Sequence, residues 1–259
     1  VKPDISEFSY GYALTSEIVH KFSAVLAGAP VLPSLKDEGF LGYDLNLPLI
    51  GRPLFLQFKR SDYMVRPTAK GAGKVPVPHY RMNLRPLKHS DQHLLLSDMD
   101  AKGHRVFYAT PEFHTSSDLN DVYLKKEVCA RTAFWRPGDI GVLPDPGEHF
   151  VCFSIGAPDG YLYSEPKQVE RTPFQMAVST VATELADTQV RSRSGRDYLM
   201  SLGDDLFEIW SSRRNVARDP VSAIARIRET RDPIEYLGWI ALSLFDCVAI
   251  VRPARRQKG

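Results

Sequence analysis

Asp44, Gln57 and Lys59 are the residues whose types and spacing could do chemistry together. They lie in the segment GYDLNLPLIGRPLFLQFKRSD, in which Gln57 and Lys59 are separated by a single residue. Side chains alternate along a strand, so these two share one face while Leu56 and Phe58 point to the other, into a core. If Phe40–Leu47 and Pro53–Arg60 are strands joined by a turn around Pro48–Arg52, Asp44 comes near Gln57. A carboxylate and an amide oxygen could then share one hard cation such as Mg²⁺. An ammonium beside that cation would stabilise charge on a scissile phosphate, or orient a water made more acidic by the metal, as phosphodiester hydrolysis requires. The competing reading makes Asp44 a turn or strand-end carboxylate and Gln57 and Lys59 the solvated face of an edge strand.

These residues need elements to hold them. Leu14, Ile18, Phe22, Val25 and Leu26 recur at helical spacing, which predicts an amphipathic helix over Tyr12–Ala27 that carries Glu17 and stops at Gly28–Pro30. After the two strands, RPTAKGAGKVPVP (Arg66–Pro78) has the composition of a mobile basic loop. A helix is expected over His89–Ala101, a strand over Arg105–Thr110 and a second helix over Leu119–Ala130. Further strands are expected at Arg131–Trp135, His149–Ser154 and Tyr161–Tyr163. From Thr172 onward no convincing strand is expected, and helical stretches are expected over Pro173–Thr188, Asp197–Asn215, Pro220–Glu229 and Pro233–Val251. The fold class is therefore α/β with an α-helical C-terminal region, divided into residues 1–168 and 169–259.

An acidic helix, then Asp, then Gln-x-Lys, then helix and strand resembles the PD-(D/E)XK nuclease superfamily, and the Gln form is similar to Mrr-type restriction endonucleases. The resemblance covers roughly residues 8–155 and rests on order, spacing and strand placement. It implies a restriction-endonuclease-like central mixed sheet flanked by helices. It also implies a metal-dependent endonuclease that hydrolyses DNA, in prokaryotic restriction or anti-phage defence. By that resemblance Asp44, Gln57 and Glu17 hold Mg²⁺, or Mn²⁺ in its place, and Lys59 assists the attacking water. Tyr43 stands where the family has Pro before the Asp, and Gln57 brings less negative charge to the metal than an acid would.

The rest of the sequence sets the context. A net charge of +2 over 259 residues does not announce a nucleic-acid partner by itself. The basic signal is local: Arg52, Arg60, Arg66, Lys70, Lys74 and Arg81, with Arg85 and Lys88 beyond them, suit the phosphates of DNA, with RNA left open, or else form an ordinary solvated surface. Ala69–Val75 lacks the spacing and following Ser/Thr of a P-loop. Three well-separated cysteines suggest neither a disulfide framework nor a zinc cluster, and the first segment lacks a signal-peptide pattern, so a reducing, cytoplasmic setting is expected. His89 and His93 share a helix face without a third ligand, Asp62 reads as a loop residue, and Glu112 and His114 as structural. Tyr236–Val251 is apolar but short for a membrane span, which suits a buried helix or one facing a protein partner or a second copy. Two other functions stay open: a nuclease-like module without catalysis, serving as a nucleic-acid-binding or scaffold subunit, and a protein-binding adaptor.

Overall fold

The computed structural model describes residues 1–21, 54–144, 147–177, 195–212, 224–225, 227–229, 232–245 and 248–250. Their main helices are α1 (Glu7–Lys21), α2 (Gln92–Ala101), α3 (Ser116–Leu124), α4 (Pro137–Ile140), α5 (Gly195–Ser212) and α6 (Pro233–Phe245). The strands are β1 (Leu54–Phe58), β2 (Ser61–Met64), β3 (His79–Leu84), β4 (Arg105–Pro111), β5 (Thr132–Trp135), β6 (His149–Phe153), β7 (Asp159–Leu162), β8 (Lys167–Glu170) and β9 (Val248–Ile250). They form a mixed sheet of order β5-β4-β1-β9 and an antiparallel sheet of order β2-β3-β6-β7-β8, with flanking helices and a helical C-terminal region. The expected strand Phe40–Leu47 and the tail Arg252–Gly259 lie outside the described residues.

The chain divides into two compact units. One comprises Val1–Ser23, Gln57–Asp100 and Val106–Ala177; the other comprises Ala24–Leu56, Ala101–Arg105 and Val178–Gly259. In the second, α5 buries Leu199, Leu202, Leu206 and Ile209, and α6 buries Tyr236, Leu237, Ile240 and Phe245. Asp204 on α5 accepts from the Tyr236 hydroxyl at 3.0 Å and from two Arg228 nitrogens at 2.8 Å each. No helix among the described residues is long and apolar enough to cross a membrane.

Several elements differ from expectation, each for a local reason. The helix expected over Pro233–Val251 ends at Phe245, and Val248–Ile250 is a strand that pairs antiparallel with Leu54–Leu56. Val248 and Ile250 are β-branched, a type that packs well on a pleated surface. α3 starts earlier than expected because the Thr115 hydroxyl caps it, accepting from the Asp118 amide at 3.1 Å, and it ends before Lys126, whose φ is 58°. Strands β2, β3 and β8 were not expected, because Ser61-Asp62 and the Arg81/Asn83 alternation resemble turn and surface sequence. Asp62 consequently lies in a strand and is 5% exposed.

The Arg66–Pro78 segment, expected to be a mobile loop, is closed by its own turns: the Ala69, Ala72 and Lys74 amides bond back to Arg66, Ala69 and Gly71. Gly71 has a φ of +94°, and a Cβ there would stand 2.4 Å from Cys152 Sγ on β6, so the turn needs glycine for both conformation and space.

In the first unit α1 turns Tyr10, Leu14 and Ile18 inward. The Tyr10 ring meets Phe58 and Phe113 edge-on, with centroids 5.9 and 6.0 Å away, and its hydroxyl meets Thr132 Oγ1 at 3.0 Å. Gly11 faces Phe58 so closely that a Cβ would lie 2.6 Å from the ring. The helix thereby sits directly against the end of β1.

Glu112, at the end of β4 and 1% exposed, ties this unit together. Its carboxylate accepts from Arg171 Nη1 and from the Gly156 amide at 2.7 Å, with Arg131 Nε at 3.8 Å. Arg171 also donates to the Thr132 carbonyl at 3.1 Å, joining β5 to the segment after β8. Removing one partner of such a group strands a buried charge. Glu112→Ala is expected to lower the unfolding free energy by about 3–5 kcal/mol, read from urea denaturation followed by circular dichroism.

Candidate functional site

Gln57 lies near the end of β1, past the Leu54–Leu56 stretch that pairs with β9. Leu54, Phe55 and Leu56 are buried, and the apolar run then changes to a polar pair that is also buried: Gln57 is 3% and Lys59 7% exposed. Lys59 lies just past the end of β1, where its amide still donates to the Ala109 carbonyl of β4 at 2.9 Å. The solvated-edge reading of Gln57 and Lys59 therefore fails. Both side chains are buried at the end of β1.

Gln92, at the start of α2, joins them. Its Oε1 accepts from Lys59 Nζ at 3.0 Å and its Nε2 donates to Gln57 Oε1 at 2.8 Å. One amide thus fixes an ammonium and a second amide in a single arrangement. Ser90 Oγ accepts from the Gln92 backbone amide at 3.2 Å, setting the start of α2 and with it the position of Gln92. Sequence reasoning missed Gln92, because a glutamine at a helix start carries no signal until the strand facing it is known. The Gln57 Nε2 donates to the neighbouring Phe58 carbonyl at 3.2 Å, which orients its oxygen toward Gln92.

The remaining expected ligands differ in their placement. Asp44 and Arg52 lie outside the described residues. Glu17, 5% exposed on α1, directs Oε2 to the amides of Val128 and Cys129 at 2.6 and 3.3 Å, and Oε1 to Lys21 Nζ at 2.7 Å. It holds the turn that follows α3, and service as a metal ligand would require it to give up those bonds. Among the described residues no group of three or more His, Cys, Asp or Glu is arranged to hold a metal ion. The Gln57 side chain is an amide, and its oxygen is held toward Gln92.

Of the expected phosphate-binding residues, Arg60, Arg66, Lys70 and Lys74 are exposed. Lys70 pairs with Glu148 at 2.6 Å, and Arg81 pairs with Asp62 at 3.1 Å. His93 is a packed histidine, its ring nitrogens 3.0 Å from the Tyr108 hydroxyl and 2.7 Å from the Gly141 carbonyl; burial lowers its pKa. His114 stacks on Tyr63 with centroids 4.4 Å apart. Cys129 and Cys152 are buried free thiols, and burial pushes both pKa values up.

The chain matches no protein-family model, no curated protein and no solved structure.

Two substitutions test these assignments. Gln92→Leu removes the acceptor from Lys59 and the donor from Gln57, and is expected to lower stability by about 1–3 kcal/mol in urea unfolding. Glu17→Ala leaves the Val128 and Cys129 amides without their carboxylate and is expected to cost about 2–3 kcal/mol. Undiminished stability in the Glu17 variant would contradict its holding role.

Proposed function

We propose that the protein is a metal-dependent nuclease acting on DNA, with Lys59, Gln57 and Asp44 as its catalytic set. One observation carries this reading: an ammonium and an amide oxygen lie together at the end of β1, buried and locked together by Gln92. Packing alone does not favour such a pair, because a buried ammonium is costly to desolvate. Desolvated polar groups of this kind concentrate at functional sites.

The chemistry follows from the residues. Lys59 can donate to a non-bridging oxygen of the scissile phosphodiester, or hold the attacking water in line, with Gln92 fixing the direction of its Nζ. Gln57 presents an amide oxygen and Asp44 a carboxylate as oxygen ligands for Mg²⁺ or Mn²⁺. A bound divalent ion supplies Lewis acidity and neutralises developing negative charge. The exposed Arg60, Arg66 and Lys74 supply positive charge for backbone phosphates. The family resemblance supports a setting in prokaryotic restriction or anti-phage defence.

The test is incubation with plasmid and single-stranded DNA in Mg²⁺, Mn²⁺ or EDTA. Cleavage is expected with either metal and none in EDTA. Lys59→Ala and Asp44→Ala should each reduce the rate by about 100-fold or more while DNA binding persists. An unmodified protein inert on every substrate with every metal would exclude the enzyme and leave the binding module. Absence of any salt-dependent DNA affinity would leave the adaptor.

A further inference from the structure

A pocket of about 680 Å³ opens in the first unit, a volume suited to a small ligand. It is formed by the antiparallel sheet and the turns at its edge, and neither Gln57 nor Lys59 lines it. Four permanent cations do: Lys2, Lys70, Arg81 and Lys88. Among the described residues the one acid in its lining is Glu148. Buried Asp62 balances part of this charge from β2, through Lys2 Nζ at 3.4 Å and Arg81 Nη2 at 3.1 Å. Four cations against these two carboxylates leave an excess of two positive charges.

The cations are not equivalent. Arg81 is fixed before any ligand arrives, with its guanidinium 4.7 Å above the Phe150 ring and one nitrogen held by Asp62. Burial opposes ionisation of Asp62, but hydrogen bonds from Asn83 and Arg81 and the charge of Lys2 outweigh it and hold its carboxyl below the usual value. The ion pair beneath Arg81 is therefore a permanent fixture near neutral pH. Lys70 meets Glu148 in a solvent-exposed pair, 54% and 65% exposed, of the kind that contributes little and can open. Lys88 is exposed and makes no ion pair among the described residues.

We infer that this pocket binds a phosphate monoester, with Arg81 as the fixed contact and Lys2, Lys70 and Lys88 closing on the anion. A concave site with an excess of two positive charges matches a terminal dianion. An internal phosphodiester carries one charge and needs a groove through which the strand can pass. Planar guanidinium and mobile ammonium groups are the donors that phosphate recognition uses. The monoester can come from a free small molecule or from the 5′ end of a nucleic acid.

The experiment is calorimetric titration of the full chain in EDTA and low salt, so that cleavage plays no part in the readout. The probes are inorganic phosphate, AMP, adenosine, and one short single strand with and without a 5′-phosphate. Saturable binding of phosphate and AMP but not adenosine is expected for a free ligand. Binding of the strand only when it is 5′-phosphorylated is expected for a nucleic-acid end. In either case Lys88→Glu and Lys2→Glu, both at exposed positions, should weaken binding about tenfold. Lys125→Glu, the same charge change outside the lining, should leave it unaltered. No saturable binding of any phosphate-bearing probe, equal binding of the two strands without binding of phosphate or AMP, or affinity unmoved by Lys88→Glu and Lys2→Glu would each overturn the assignment.

Discussion

An ammonium buried at the end of an apolar strand forces the structure around it. Lys59 follows a run of buried Leu54, Phe55 and Leu56, and at 7% exposure its charge must be met by protein oxygen rather than water. Gln92 supplies one such oxygen, and the same amide reaches back to Gln57. The start of α2 must therefore face the end of β1, and Ser90 holds that start in place. α1 is pressed against Phe58 at Gly11. The candidate site and the local packing are thus one set of contacts.

Buried carboxylates divide the remaining polar groups into holders and candidates. Glu17 fastens the turn after α3, Glu112 joins β4 to β5 and to Arg171, and Asp62 anchors Arg81 and Asn83 within the antiparallel sheet. Each takes an acid or a base that its residue type alone would suggest for ligand binding and commits it to the fold. The basic residues divide in the same way. Arg81 is locked by Asp62 and Phe150, Lys70 is loosely paired with Glu148, and Lys88 is exposed. A fixed cation beside mobile ones allows an anion to be oriented first and enclosed second, at a lower entropic cost than ordering every contact on binding.

Much of the scaffold was legible in the sequence. Helical spacing of Leu14 and Ile18, alternation around Gln57 and Lys59, and the short apolar runs at Arg105–Thr110 and His149–Ser154 led to α1, β1, β4 and β6, because side-chain period follows backbone geometry. The strands that were missed have weak local signals. β2 is Ser-Asp-Tyr-Met, β3 alternates with Arg and Asn, and β9 continues the apolar composition of the helix before it. Their state is set by the partners they pair with, and those partners are remote in the chain.

The sequence by itself determined the α/β class, the shared face of Gln57 and Lys59, and the local excess of basic residues, since each depends on residue type and on a period of two or 3.6. Only the tertiary structure decided that this face is buried rather than solvated, that Gln92 joins the pair, and that Glu17 and Asp62 serve the fold. It also decided that Lys2, Lys70, Arg81 and Lys88 line one pocket. The physical reason is common to all of these: desolvation, ion pairing and hydrogen bonding depend on which distant segments meet, and periodicity carries no record of that.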